Sequence, residues 1–219
     1  MVYLRELFNN NQNSNKEYVV VFGGRFQPPT PGHYKIYEWL IKNFDEDRVF
    51  IATSNKVDPV SKKNTEKKEI KSFLNFEEKK YIWKKMFNIP ENKIILSKSP
   101  AFAPLEILER MPENTVYITV TSEKDRDRYM NSRYFEKYPM INNNPADFDN
   151  VKGMLKGYKE KGYYIILPEL KGISATKVRN IFLSDIPREE KKILFQKIYG
   201  KFDQEVFDLI EKKLQSMNI

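Results

Sequence analysis

Two short segments concentrate the side chains suited to gripping a polyphosphate. The first runs Gly23-Gly24-Arg25-Phe26-Gln27-Pro28-Pro29-Thr30-Pro31-Gly32-His33. It follows an apolar, β-branched run from Tyr18 to Phe22 and precedes a stretch in which Ile36, Leu40, Ile41 and Phe44 recur at helical spacing. The order is therefore strand, Gly/Pro loop, helix, with His33 in the helix's first turn. A helix start offers unpaired N–H groups and a partial positive charge to an anion, and the glycines ahead of it let a ligand come close to the backbone. No Gly-Lys-Ser/Thr ends the loop and no Gly-x-Gly-x-x-Gly occupies it, so it is neither a Walker loop nor a dinucleotide fingerprint. His33 is the one histidine in 219 residues.

The second segment is Ile173-Ser174-Ala175-Thr176-Lys177-Val178-Arg179, about 140 residues further on. Gly172 permits a tight turn, Ser174 is a natural N-cap, and Val178, Ile181 and Phe182 form a buried helical face. The hydroxyls of Ser174 and Thr176, with Arg179 one turn on, can converge on an anion at that helix start.

Taken together these residues resemble the nucleotidylyltransferases with a His/Thr-x-Gly-His signature. Gly24-Arg25-Phe26-Gln27-Pro28 is similar to the opening of nicotinamide-mononucleotide adenylyltransferases. Thr30-Pro31-Gly32-His33 is similar to the Thr-x-Gly-His form of the phosphopantetheine and glycerol-phosphate branches. Phage cytidylyltransferase-like proteins, with Gly-Arg-Phe-x-Pro-Pro-Thr-x-Gly-His, are a further likeness. Ile173–Arg179 matches the family's second signature, Ile-Ser-x-Thr-x-x-Arg.

The resemblance implies an α/β fold, a doubly wound five-stranded parallel sheet in the order 3-2-1-4-5, with ligands at the carboxyl ends of the strands. It implies transfer of a nucleoside monophosphate from ATP or CTP to a phosphorylated acceptor, with pyrophosphate as leaving group. Thr30, His33 and Arg179 would be the catalytic residues; Gly24, Arg25, Phe26, Gly32, Ser174, Thr176 and Lys177 would bind nucleotide and phosphate. Mg²⁺ is expected to arrive on the triphosphate, with no dedicated protein cage. Nicotinamide-mononucleotide enzymes carry His at the Thr30 position, so the acceptor stays open.

The remaining elements must position those two segments. Arg48 to Thr53 reads as a second strand running into Asn55 and Lys56, substrate contacts by their place at a strand's carboxyl end. Val57 to Asn75 is lysine-rich, a mobile surface loop or a lid whose Lys62, Lys63, Lys67 or Lys68 closes over phosphates. Asn75 and Glu78 form a capping-box pattern, opening a helix on which Phe76, Lys80, Trp83 and Phe87 share a face. Lys93 to Ser97 is the third strand, Pro104 to Met111 a short helix, and Thr115 to Thr121 the fourth strand. Ser122, Lys124 and Asp125 follow it, where relatives carry a nucleotide-contacting Gly-Ser/Ala-Asp segment. Residues 131–161 read as an insertion with one short helix, and Tyr163 to Leu167 as the fifth strand. Two amphipathic helices, 188–199 and 203–217, joined at Gly200-Lys201, close the chain.

The expected organisation is an arm over 1–16, an α/β domain over 17–186 and a helical extension over 187–219. That extension packs on the same domain or meets a partner subunit in a homo-oligomer. The absence of cysteine excludes disulfides, thiolate metal sites and a cysteine nucleophile, and fits a cytoplasmic setting. No apolar stretch approaches the roughly 20 residues needed to span a membrane. A net charge of +8 suits either a lysine-covered surface or a field that attracts triphosphate or nucleic acid. Nucleic-acid-directed transfer or binding, and a non-catalytic nucleotide-binding assembly protein, are the rival readings.

Overall fold

The structure is a computed structural model and describes residues 16–57, 72–102, 104–167 and 174–217. Residues 1–15 of the N-terminal arm, the lysines of the 57–75 stretch named above, and Gly172 and Ile173 lie outside those residues. In chain order the elements are β1 (Tyr18–Gly23), α1 (Pro31–Asn43), β2 (Val49–Thr53), α2 (Phe76–Phe87), β3 (Ile94–Leu96), α3 (Leu105–Leu108) and β4 (Val116–Thr121). There follow α4 (Asp127–Met130), β5 (Phe135–Lys137), β6 (Met140–Ile141), β7 (Asn144–Pro145), α5 (Phe148–Val151), β8 (Gly162–Ile166), α6 (Ala175–Leu183), α7 (Arg188–Tyr199) and α8 (Gln204–Met217).

The main sheet has the order β3-β2-β1-β4-β8-β5. Its central pairings, β1 with β2 and β4, and β8 with β4 and β5, are parallel. The expected 3-2-1-4-5 order is therefore present, with β8 as the fifth strand. The sixth strand, β5, comes from the segment read as an insertion. Phe135 anchors it, packing edge-on against Tyr129 at 4.9 Å and Tyr117 at 6.0 Å. Its register partner is Gly162, where a Cβ would fall 2.6 Å from the Phe135 ring. Without a side chain at 162 the ring has its seat; with one, the edge strand could not pair there.

Two compact units divide the chain. The described residues of Met1–Gly24, Tyr37–Ala52 and Ser97–Glu169 form the first. Its core is the apolar run of β1, where Val19, Val20 and Val21 are fully buried, and β4, buried along its whole length. Such runs, apolar on both faces, are what parallel strands covered on both sides require. Gly23, at the end of β1, is pressed on by the carbonyl oxygen of Pro100, 1.9 Å from where a Cβ would stand. The backbone that closes on this glycine is the chain's own.

The described residues of Arg25–Ile36, Thr53–Leu96 and Leu170–Ile219 form the second unit. Here α2 opens with the anticipated capping box: Asn75 accepts from Glu78 N–H and Glu78 accepts from Asn75 N–H. Helix α6 is capped by Ser174, whose hydroxyl accepts from Lys177 N–H. Helices α7 and α8 join through Gly200, at φ 75°, and pack on α6 through Phe182, Phe195 and Phe207, with ring centroids 5.0–6.1 Å apart. No helix among the described residues is long and apolar enough to cross a membrane.

Candidate active site

The loop after β1 is held by its own side chains. Phe26 takes a left-handed backbone conformation, φ 47°, which costs a non-glycine residue about 1 kcal/mol or more. Its buried ring meets His33 edge-on at 5.0 Å and Trp83 at 5.3 Å. Gln27 is also buried. Its Oε1 accepts from Phe73 N–H (3.0 Å) and Leu74 N–H (2.8 Å), and its Nε2 donates to Leu74 O (2.8 Å). Both acceptor positions of the amide and one of its two N–H donors are thus engaged by the segment that enters α2, which is why a polar residue can sit there.

Thr30 begins α1: its carbonyl accepts from Tyr34 N–H at 3.0 Å. Its own N–H donates to His33 Nδ1 at 3.1 Å, and its hydroxyl lies 3.0 Å from the same nitrogen. A backbone N–H can only donate, so Nδ1 carries no proton and the ring proton is on Nε2. Burial against the aromatic wall pushes the His33 pKa down to about 4. His33 is therefore a neutral imidazole with a fixed tautomer, its ring proton on Nε2.

Arg179, on the first turns of α6, is buried. Its Nη1 donates to Gln27 O at 2.7 Å and its Nη2 to Thr176 Oγ1 at 3.0 Å. These contacts tie the second signature to the first. Arg25, Phe26, Gln27, His33, Ala175, Thr176 and Arg179 line one cavity of about 340 Å³, within the roughly 300–1,000 Å³ of small-ligand sites. Among the described residues no acidic one lines it, and neither α1 nor α6 has one in its first turn. The cavity thus combines two arginines, a neutral N–H donor, a hydroxyl and two helix starts, a set suited to an anion with several oxygens.

Other expected site residues are placed differently. Lys177 and Ser174 are exposed at the α6 start, and Ser174 spends an acceptor on its cap. Gly32 lies in the first turn of α1. Gly24 N–H is bonded to Ala52 O at 3.0 Å and is not available to a ligand. Asn55 Oδ1 accepts from Phe76 N–H at 2.8 Å, a structural bond at the start of α2, while Lys56 is exposed. Ser122 and Asp125 bond each other at 3.2 Å on the turn after β4, and Lys124 is part of that turn; all three belong to the first unit.

Sequence reasoning missed Lys79 and Tyr199. Lys79, fully buried on α2, donates to Thr53 Oγ1 at 2.9 Å and to Ser54 O, securing the end of β2, and burial lowers its pKa to about 8. A helical period counted from Trp83 picks out Lys80, yet Lys80 lies over the Phe76 ring, 5.4 Å from its centroid, and pairs with Glu77 at 2.7 Å. A larger cleft of about 570 Å³ in the first unit, lined by charges of both signs such as Lys16, Glu17, Arg48 and Asp149, holds no residue of either signature.

A family model described as cytidylyltransferase-like matches residues 21–181. Among solved structures, Plasmodium falciparum nicotinic acid mononucleotide adenylyltransferase complexed with NaAD aligns at 14% identity and TM-score 0.49, covering 90% of this chain and 95% of that one. The same enzyme complexed with APC aligns at 14% and 0.44, covering 85% and 98%. A macrolide-efflux protein from Streptococcus pneumoniae aligns at 17% and 0.43, covering 87% and 57%. No curated protein matches the sequence.

Proposed function

Because the chain belongs to the cytidylyltransferase-like family, and so to the nucleotidyltransferases, we propose that it transfers the nucleoside monophosphate of ATP or CTP to a phosphorylated small acceptor. An acceptor phosphate oxygen attacks the α-phosphorus, the bond from that phosphorus to the α,β-bridging oxygen breaks, and pyrophosphate leaves with the electron pair. The observation that carries this reading is that segments about 140 residues apart in sequence line one cavity which, among the described residues, holds two arginines and no acid.

An ionised phosphate needs no strong base. The barrier lies in bringing two anions together and in stabilising charge that moves onto the leaving pyrophosphate. Arg179 supplies a fixed cation, His33 Nε2 a neutral donor, and Thr176 with the α6 start further donors. Arg25, exposed at the cavity, meets the more solvated phosphate oxygens. Mg²⁺ enters as part of the triphosphate substrate, held by phosphate oxygens and water. The Gly24-to-Pro28 opening supports a mononucleotide such as nicotinamide mononucleotide as acceptor.

The test is a pyrophosphate-release screen crossing four nucleoside triphosphates with phosphorylated acceptors, nicotinamide mononucleotide among them. One productive pair is expected. In it, His33→Ala and Arg179→Ala each lose about 10²–10³ in kcat, as removal of one preorganised donor does elsewhere. Either variant turning over like wild type would remove that residue from the mechanism.

A further inference from the structure

Tyr199 is the last residue of α7 and lies outside residues 21–181, the span matched by the family. Its hydroxyl donates to Pro29 O at 2.8 Å, both groups buried. Pro29 O and Thr30 N–H belong to the same peptide group, which is planar and rigid. One edge of that plane is held by Tyr199; the other donates to His33 Nδ1 at 3.1 Å. We propose that Tyr199 is a positioning residue for the reaction, fixing the tautomer and orientation of His33 through the Pro29–Thr30 peptide.

Three features of the packing support this. The Tyr199 ring is stacked on Phe195 at 4.5 Å and leans on Phe87 at 6.0 Å, so the phenol cannot swing away. Phe87 in turn stacks on Tyr34, the residue after His33, at 5.0 Å. Burial raises the Tyr199 pKa, so the hydroxyl keeps its proton and remains a donor to an oxygen that can only accept. The C-terminal helices therefore complete the first signature from outside the span that the family model matches. Pro28, Pro29 and Pro31 around this peptide have no N–H of their own. That leaves the Thr30 N–H as the one backbone donor between Gln27 and Gly32, and its direction is what the plane sets.

The rate part of this inference rests on the proposed transfer reaction; the structural part does not. His33 being the only histidine, its two ring nitrogens give an unambiguous ¹⁵N spectrum in the intact protein. Tyr199→Phe removes the hydroxyl and keeps the ring. Tyr138→Phe, which deletes a buried hydroxyl bonded to Ala146 O at 3.1 Å in the first unit, controls for general destabilisation. In wild type the nitrogen shifts are expected to show Nε2–H alone. In Tyr199→Phe they move toward a tautomer mixture and kcat falls about tenfold with little change in KM, the size of effect a lost buried hydrogen bond can produce. In Tyr138→Phe both stay as in wild type. Unchanged His33 shifts in Tyr199→Phe, or equal changes in Tyr138→Phe, would overturn the assignment. Were no acceptor turned over by wild type, the proposed reaction would fail while the ¹⁵N spectra still decided the positioning role.

Discussion

At His33 the ring is held neutral by two separate causes, and each has a measurable consequence. Burial lowers its pKa to about 4, and the Thr30 N–H occupies the nitrogen that would otherwise take a second proton. Free enzyme therefore carries the same imidazole at pH 8 and at pH 5. The ratio of wild-type kcat/KM to that of His33→Ala, in which substrate titrations cancel, should be level across that range. A ratio that falls about tenfold per unit above pH 6.5 would mean that an imidazolium does the work. The same depression has a sign for stability: a group whose folded pKa is lowered gives up stability as pH drops from about 6.5, its unfolded value, toward about 4. At this scale the sequence singled out His33, Thr30, Thr176 and Arg179, and the fold bonds Thr30 to His33 and Arg179 to both Thr176 and the Gln27 carbonyl. It did not show that the Gly24 N–H and the Asn55 Oδ1 make bonds within the fold, since nothing in a residue's identity says where its hydrogen bonds go.

Helix α2 shows why some elements were legible and others were not. Its start was readable from Asn75 and Glu78 because a capping box is a local device, complete within four residues. Which of its lysines is buried was not, because that depends on Thr53 and Ser54, more than twenty residues away in sequence. Strand β5 was missed for the same reason: three residues, Phe-Glu-Lys, have no period, and only the bare Gly162 opposite gives Phe135 its seat. Lys79 makes a prediction that belongs to α2. Two uncharged oxygens hold its amine, and its folded pKa of about 8 lies below the unfolded value of 10.5. Between those values the unfolded chain binds more protons, so stability should rise with pH. From pH 8 to 10 the gain is about 2–3 kcal/mol, read from urea unfolding. Lys79→Met should abolish this rise; a variant with the same pH slope as wild type would show that another group is responsible.

Over the molecule as a whole, the family span ends at 181, yet the second unit's core does not. Phe195, Tyr199, Val206, Phe207, Ile210 and Leu214 from α7 and α8 are buried. Each contributes about 1.5–3 kcal/mol of gross apolar burial, against a net stability of only 5–15 kcal/mol for a typical protein. Their loss would also expose Phe182 of α6, the helix that carries Arg179, and Phe87, which backs Tyr34. A chain ending at Ser184 should therefore lose the packing of the second unit even though both signatures remain in its sequence. Trp83 reports this directly: it is fully buried there, and Trp39→Phe leaves it as the only indole. In that background, truncation should shift Trp83 emission to the red and abolish triphosphate binding. Blue emission with binding retained would mean that the helices are an appendage, and that the Tyr199 contact with Pro29 is not needed to build the site.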